Sequence, residues 1–225
     1  MENSSPTLST APATIDFART FATPIKELKE SERPLFLAHL IGLASEDRYL
    51  RFGSPLSDWA IGEYVAAIDL STHTVFGVFD DDLKLVAAGH FAPITSVDES
   101  HPLAPAAAHP AAEFGLSVSA SARGNGIGTA LFLRAAAHAR NLDIETLFMH
   151  CLTQNKPMMH IARKAGMDIR NAYGEADAYL SLPPGDAASA FEEAVQRQIA
   201  IFDFAVKRQV LAAKKGFRKV APAAV

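Results

Sequence analysis

The order of apolar and polar residues divides the chain into a succession of short elements. After Pro34, the residues Leu35, Phe36, Leu37, Leu40, Ile41, Leu43 and Ala44 are spaced as on a helix buried over a broad face, with the proline in its first turn. The polar stretch 45–51 closes that helix, and Ser54-Pro55 makes a turn. Ile61, Tyr64, Val65 and Ile68 then fall at i, i+3, i+4 and i+7, one stripe of a second helix. Residues 75–79 and 83–91 are β-branched and aromatic runs flanking Asp80-Asp81-Asp82, which predicts an antiparallel hairpin. Acidic residues at a hairpin tip are ordinarily solvated and turn-forming, so the three aspartates do not by themselves make a metal site. Residues 17–23, stopped by Pro24, are a short candidate strand ahead of all of these.

Residues 111–120 alternate, most clearly over 113–119. Phe114, Leu116 and Val118 point one way, and Glu113, Gly115, Ser117 and Ser119 the other, which predicts a strand with one wet face. Arg123-Gly124-Asn125-Gly126-Ile127-Gly128 follows at once, and a helix over 129–140 follows that, so the unit is strand, glycine loop, helix. Residues 147–152 form another apolar strand, 156–165 a short helix ended by Gly166, and 178–182 a last strand after a turn near Gly174. Pro183-Pro184-Gly185 breaks the chain, and Asp186 is placed to cap a long C-terminal helix. In that helix Phe191, Val195, Ile199, Phe202, Val206 and Val210 recur every three or four residues. Such an apolar stripe has to be covered, by the domain or by a second subunit, and the helix's length favours a homodimer.

The segments between these elements carry less information. Residues 1–15 are rich in Ser, Thr, Pro and Ala without periodicity and are expected to be a flexible lead. Residues 93–110 hold four prolines with His101 and His109 and are expected to be a long loop in which both histidines are ordinary surface residues. The expected organisation is therefore a lead at 1–15, one domain at 16–183 and a helical extension at 184–225.

Charge and cysteine content narrow the function. With 21 Lys plus Arg against 25 Asp plus Glu, the chain carries a formal charge of −4, which argues against a nucleic-acid partner. The first 18 residues contain no Lys or Arg, and no apolar run reaches membrane-spanning length. A cytoplasmic protein with no membrane partner is expected. The single cysteine, Cys151, can neither form an internal disulfide nor supply a zinc ligand set, and it is expected to be a small buried hydrophobe. His150 and His160 are too scattered for a metal site or a triad and are expected to be structural. No metal is expected.

A strand that feeds a glycine-rich turn into a helix N-terminus makes an anion site, because unpaired backbone N–H groups converge there and the helix dipole adds to them. A P-loop is disfavoured, since Gly126-Ile127-Gly128-Thr129 contains no lysine. A dinucleotide loop requires glycine where Thr129 stands. The spacing present is R-x-x-G-x-G, met by Arg123, Gly126 and Gly128. At this point the chain resembles the GNAT superfamily of N-acetyltransferases, whose pyrophosphate loop has that spacing. Asn155, Met158, Ile161, Lys164, Gly166 and Met167 resemble the family's second cofactor segment, N-x-x-A-x-x-L-Y-x-K-x-G-F, and the order of elements agrees over about residues 16–183.

The resemblance implies a mixed α/β fold with a mostly antiparallel sheet, splayed near the cofactor, and helices on both faces, followed here by the long C-terminal helix. It implies acetyl-CoA as co-substrate, bound by Arg123, Gly124, Asn125, Gly126, Ile127, Gly128 and Thr129 at the loop. Asn155 and the strand backbone at Leu116, Ser117 and Val118 complete the cofactor set. It also implies acetyl transfer to an amine in a ternary complex. The run at 43–52 and Ala112-Glu113-Phe114 is similar to the acetyltransferase domains of bacterial protein-lysine acetyltransferases, which implies a protein lysine or a small-molecule amine as acceptor.

Each of these residues also has a purely structural reading. Glu113 is either the general base or a salt-bridged surface residue. Arg123 contacts phosphate or caps its own loop, and Asn155 caps the helix that follows it, a role compatible with touching the cofactor. Where the family usually has tyrosine, this chain has Ala162, so a tyrosine general acid is missing from that position. The alternative that this departure permits is a non-catalytic acyl-CoA-binding module. A second alternative is an enzyme using another acyl-CoA.

Overall fold

A computed structural model describes residues 22–94 and 110–220. Seven strands form one sheet: β1 (Lys26–Glu27), β2 (Thr74–Phe79), β3 (Leu85–Ile94), β4 (Ala111–Val118), β5 (Thr146–Leu152), β6 (Asp168–Ala172) and β7 (Glu175–Ser181). Their spatial order is β1-β2-β3-β4-β5-β7-β6, and every neighbouring pair is antiparallel except β4–β5. The helices are α1 (Arg33–Ile41), α2 (Ser45–Phe52), α3 (Asp58–Ala67), α4 (Ile127–Asn141), α5 (Lys156–Lys164) and α6 (Ala187–Val220). Helices lie on both faces. Phe36, Leu40, Ile61 and Val65 of α1 and α3 pack on Val75, Phe79, Leu85 and Ala88, whereas Leu131, Ala135, Met158 and Ile161 of α4 and α5 pack on Phe76, Phe114, Leu147 and Met149.

Several elements differ from the sequence expectation. The strand that pairs with β2 is Lys26–Glu27, beyond Pro24; residues 17–21 of the expected strand lie outside the described residues, and 22–23 are not a strand. The polar stretch 45–51, expected only to end the preceding helix, is itself helical, and with Phe52 it forms α2. Glu46 and Asp47 lie in its first turn, where the helix dipole favours negative charge, and Gly53 ends it at φ 71°. Strand β6 went unread because it is a polar edge strand with no buried face, joined to β7 through Tyr173 and Gly174, both at positive φ. The hairpin turn between β2 and β3 is held by Asp80, whose Oδ1 accepts from the amides of Asp82 and Lys84. The expected lead at 1–15 lies outside the described residues, as do His101 and His109, whereas Pro93 and Ile94 belong to β3.

Asp186 caps α6 as expected, accepting from the Ser189 amide at 2.7 Å. The helix lies against the domain, yet not through its apolar stripe. Ser189, Glu193, Gln196 and Ala200 are buried, and Phe204 stacks edge-on against Phe79 with ring centres 4.9 Å apart. Phe191, Ile199, Phe202, Val206 and Val210 are exposed, Phe191 and Phe202 by 70% and 72%. The docking is polar: Arg134 of α4, 1% exposed, donates to Glu193 and to Glu27 of β1 at 2.7 Å each, and His138 lies 2.6 Å from the same Glu193 oxygen. Burial pulls the Glu193 carboxyl upward, but the His138 hydrogen bond, the Arg134 charge and the Asn141 amide outweigh it and hold the group well below the usual carboxylate range.

Candidate active site

The site begins where two strands part. The β4–β5 ladder runs from Ala111/Thr146 to Glu113/Phe148 and stops, while β4 continues to Val118 and β5 to Leu152. Beyond Glu113, one edge of β4 therefore faces a gap, while its other edge stays paired with β3 through Val118. A cavity of about 300 Å³ occupies the glycine-loop end of this gap, lined by Leu116, Ser117, Val118, Arg123, Gly124, Gly126, Ile127, Gly128, Thr129 and Asn155. Ten of the twelve residues expected at the site thus meet in one cavity.

The loop's shape follows from its glycines. Gly124 and Gly126 have φ of 82° and 75°, a region that other residues enter at a cost, and Gly126 stands directly before α4. No side chain caps the N-terminus of α4, so its first amides are left without an intrahelical or side-chain partner, and Gly126, Ile127, Gly128 and Thr129 of this first turn line the cavity. At Gly128 a Cβ would lie 3.2 Å from the tip of the Ile161 side chain, so α4 and α5 are tightly packed at that point. Asn125 turns aside and donates to the Ala122 carbonyl.

Three of the side chains are already engaged. Arg123 donates through Nε to the Val118 carbonyl at 3.2 Å and pairs with Asp47 of α2, so it ties the loop to that helix. Asn155 caps α5 by accepting from the Met158 amide and donates to the Leu50 carbonyl of α2 at 3.1 Å. Ser117 is buried, not wet, because α1 covers it. His39 Nδ1 donates to the Leu85 carbonyl at 3.1 Å, which leaves Nε2 to accept from the Ser117 hydroxyl at 2.9 Å. Burial, with the charges of Lys84 and Arg51, lowers the His39 pKa to about 4. What Leu116, Ser117 and Val118 offer a ligand is backbone.

A second cavity of about 280 Å³ adjoins the first across Leu50 and Arg51, and its walls include Tyr64, His90, Glu113, Gly115, His150 and Cys151. Glu113 is exposed here, and its carboxylate forms no ion pair or hydrogen bond with the described residues. The salt-bridged reading of this residue therefore lacks a partner among them. His150, expected to be structural, opens onto the same cavity, with Nδ1 2.8 Å from Asp177. His160 lines the first cavity. Cys151 is buried against Met159, and its thiol pKa is raised by burial and by Asp177. Ala162 is fully buried in the core, so that position presents no group to either cavity. Among the described residues, the one grouping of three potential metal ligands is Glu27, His138 and Glu193, and Arg134 already neutralises both carboxylates.

The contribution of α2 had no signal in the apolar pattern, since the helix has no buried residue. Acids in the first turn and Gly53 after the last were the available signs. The helix supplies Asp47, Leu50 and Arg51 to the cavity walls.

Residues 40–167 match the acetyltransferase (GNAT) family, and the chain belongs to that family; it is an N-acetyltransferase of the GNAT type. Among solved structures it is similar to the GNAT domain of S. lividans PAT, with 19% identity and a TM-score of 0.57 over 70% of this chain and 89% of that one. It is also similar to the ribosomal-protein-alanine N-acetyltransferase of Brucella melitensis, with 15% identity and a TM-score of 0.53 over 70% and 99%. A GNAT-family acetyltransferase of Streptococcus pneumoniae matches with 13% identity and a TM-score of 0.52 over 71% and 98%. These likenesses are of fold. No curated protein matches the chain.

Proposed function

We propose that the protein transfers acetyl from acetyl-CoA to an amine acceptor, a protein lysine or a small molecule, by direct attack in a ternary complex. The observation that carries this reading is the gap between β4 and β5, with the glycine loop at one end and Glu113 where the gap begins. The amides of 124–129 and the positive end of α4 would hold the pyrophosphate, and the unpaired edge of β4 at 116–118 would align the pantetheine arm. Acetyl-CoA supplies an activated thioester. Glu113 accepts one proton of the ammonium, the freed amine attacks the thioester carbon, and as the C–S bond breaks the nitrogen's second proton passes to the departing thiolate, giving the amide and CoA thiol, while Glu113 returns its proton to water. A thiol of pKa roughly 8.5 leaves without strong acid assistance, so the chemistry tolerates Ala162.

The binding half of the reading is tested by Gly126→Glu, which places a side chain and a negative charge at the loop. CoA should raise the melting temperature of the wild type and not of this variant, whose ligand-free melt should be preserved. Equal stabilisation of both would refute the loop assignment.

We also propose a homodimer formed by α6. Its exposed residues Phe191, Ile199, Phe202, Val206 and Val210 lie on one stripe about 28 Å long, and a two-fold pairing would cover both copies with the same residues. A cytoplasmic setting accords with the one free thiol, and the formal charge of −4 with the absence of a nucleic-acid role.

A further inference from the structure

We propose that the acceptor is a small aminocarboxylate whose carboxylate is held by Arg51; this rests on the acetyl-transfer reading above. Arg51 projects from the last turn of α2 into the second cavity and lies directly over Gly115, where a Cβ would stand 2.7 Å from its guanidinium carbon. A side chain at this position would push the guanidinium from where it lies. The guanidinium is steered by the Tyr64 hydroxyl, to which Nη2 donates at 3.1 Å, and by the Phe52 ring 5.0 Å away.

This half-buried cation has no carboxylate partner among the described residues. The acid one turn earlier on the same helix, Asp47, is taken by Arg123. The neighbours on the α3 and β3 side do not compensate either. Tyr64 contacts His90 at 2.7 Å and His90 contacts His73 at 2.9 Å, and burial, with the charges of Arg51 and His73, holds His90 neutral with a pKa near 3. A partly desolvated guanidinium with unused donors favours a planar anion, and a carboxylate fits its fork.

One acid, Glu113, lines the same cavity. Glu113 shares a face of β4 with Gly115, two residues and about 6.6 Å away along the strand, and His150 is committed to Asp177 on β7. An ammonium near Glu113 and a carboxylate at Arg51 are thus the charges of one short zwitterion. An acceptor with only an amine would leave Arg51 uncompensated in the closed complex.

The test compares amino acids with their carboxamides, which keep the amine and neutralise the carboxylate, by release of CoA thiol from acetyl-CoA at constant pH. A series of ω-amino acids of increasing length sets the span. For the wild type, kcat/KM should favour the acid over its amide by about 10- to 100-fold, mostly through KM. Arg51→Met should bring that ratio close to one, and Arg51→Lys should restore part of it. Because the acid-to-amide ratio is first read on the wild type, a misfolded variant does not obscure the answer. Equal or better use of amides, or of a lysine peptide without a nearby carboxylate, overturns the proposal. So does a loss in Arg51→Met that is equal on acid and amide, which would make Arg51 a thioester-side group instead. CoA binding with no turnover on any amine overturns it together with the transfer step, whereas failure to bind CoA at all refutes the underlying function.

Discussion

At the scale of single residues, the site shows how burial sets charge. His39 is neutral because its ring is enclosed between α1 and β4, with Leu85 accepting from one nitrogen and Ser117 donating to the other. Its pKa falls from 6.5 to about 4, so the unfolded chain binds a proton that the folded chain refuses between those values. The sign follows: this contribution to stability is complete above about pH 6.5 and is lost as the pH falls towards 4, by about 3 kcal/mol at most. His90 acts in the same direction, over a range reaching to about 3. Unfolding free energy measured in urea should therefore decline between pH 6.5 and 4, and His39→Gln should flatten that decline. An unchanged slope in the variant would show that His39 is protonated in the native state.

At the scale of elements, packing explains which parts of the site could be read in advance. Strand β4 and the loop were legible because alternation and glycine spacing are local signals, and Gly124 and Gly126 do have the positive φ such a loop needs. Asn155 was legible as an N-cap for the same reason. Helix α2 was not, because its role is to span from Arg123 to Asn155 across the cavity, through Asp47 and Leu50, and tertiary bridges leave no period in sequence. Nor did the sequence indicate that Ser117 would be sealed by His39, which lies 78 positions away. Ala162 was read as a missing hydroxyl, and the structure adds that there is no room for one. Ala162→Tyr should destabilise the fold by about 1–3 kcal/mol through overpacking between α5 and the sheet, with no gain in turnover. A stable and faster variant would contradict this packing argument.

At the scale of the whole molecule, the C-terminal helix is attached by charge and presents its apolar side outward. Arg134 is the centre of that attachment, compensated by Glu193 from α6 and Glu27 from β1. Removing one partner leaves a buried cation short of an anion, so Glu193→Leu should cost about 3 kcal/mol or more in denaturant unfolding. A cost below about 1 kcal/mol would mean that α6 is not held through this contact. The exposed stripe makes a separate prediction. Sedimentation should give twice the 24.1 kDa chain mass for the wild type and the monomer mass for Phe191→Glu with Phe202→Glu. A monomeric wild type would rule out the pairing.

The central claim is that acetyl transfer takes place at Glu113, and one measurement addresses it most directly: the pH profile of CoA-thiol release from acetyl-CoA by the wild type and by Glu113→Gln, on the best acceptor found. The account predicts that the variant loses about 10² or more in kcat with little change in KM for acetyl-CoA, since a proton acceptor is removed and the cofactor cleft is untouched. Full activity of Glu113→Gln across the pH range would contradict it and would assign the proton to another group or to water.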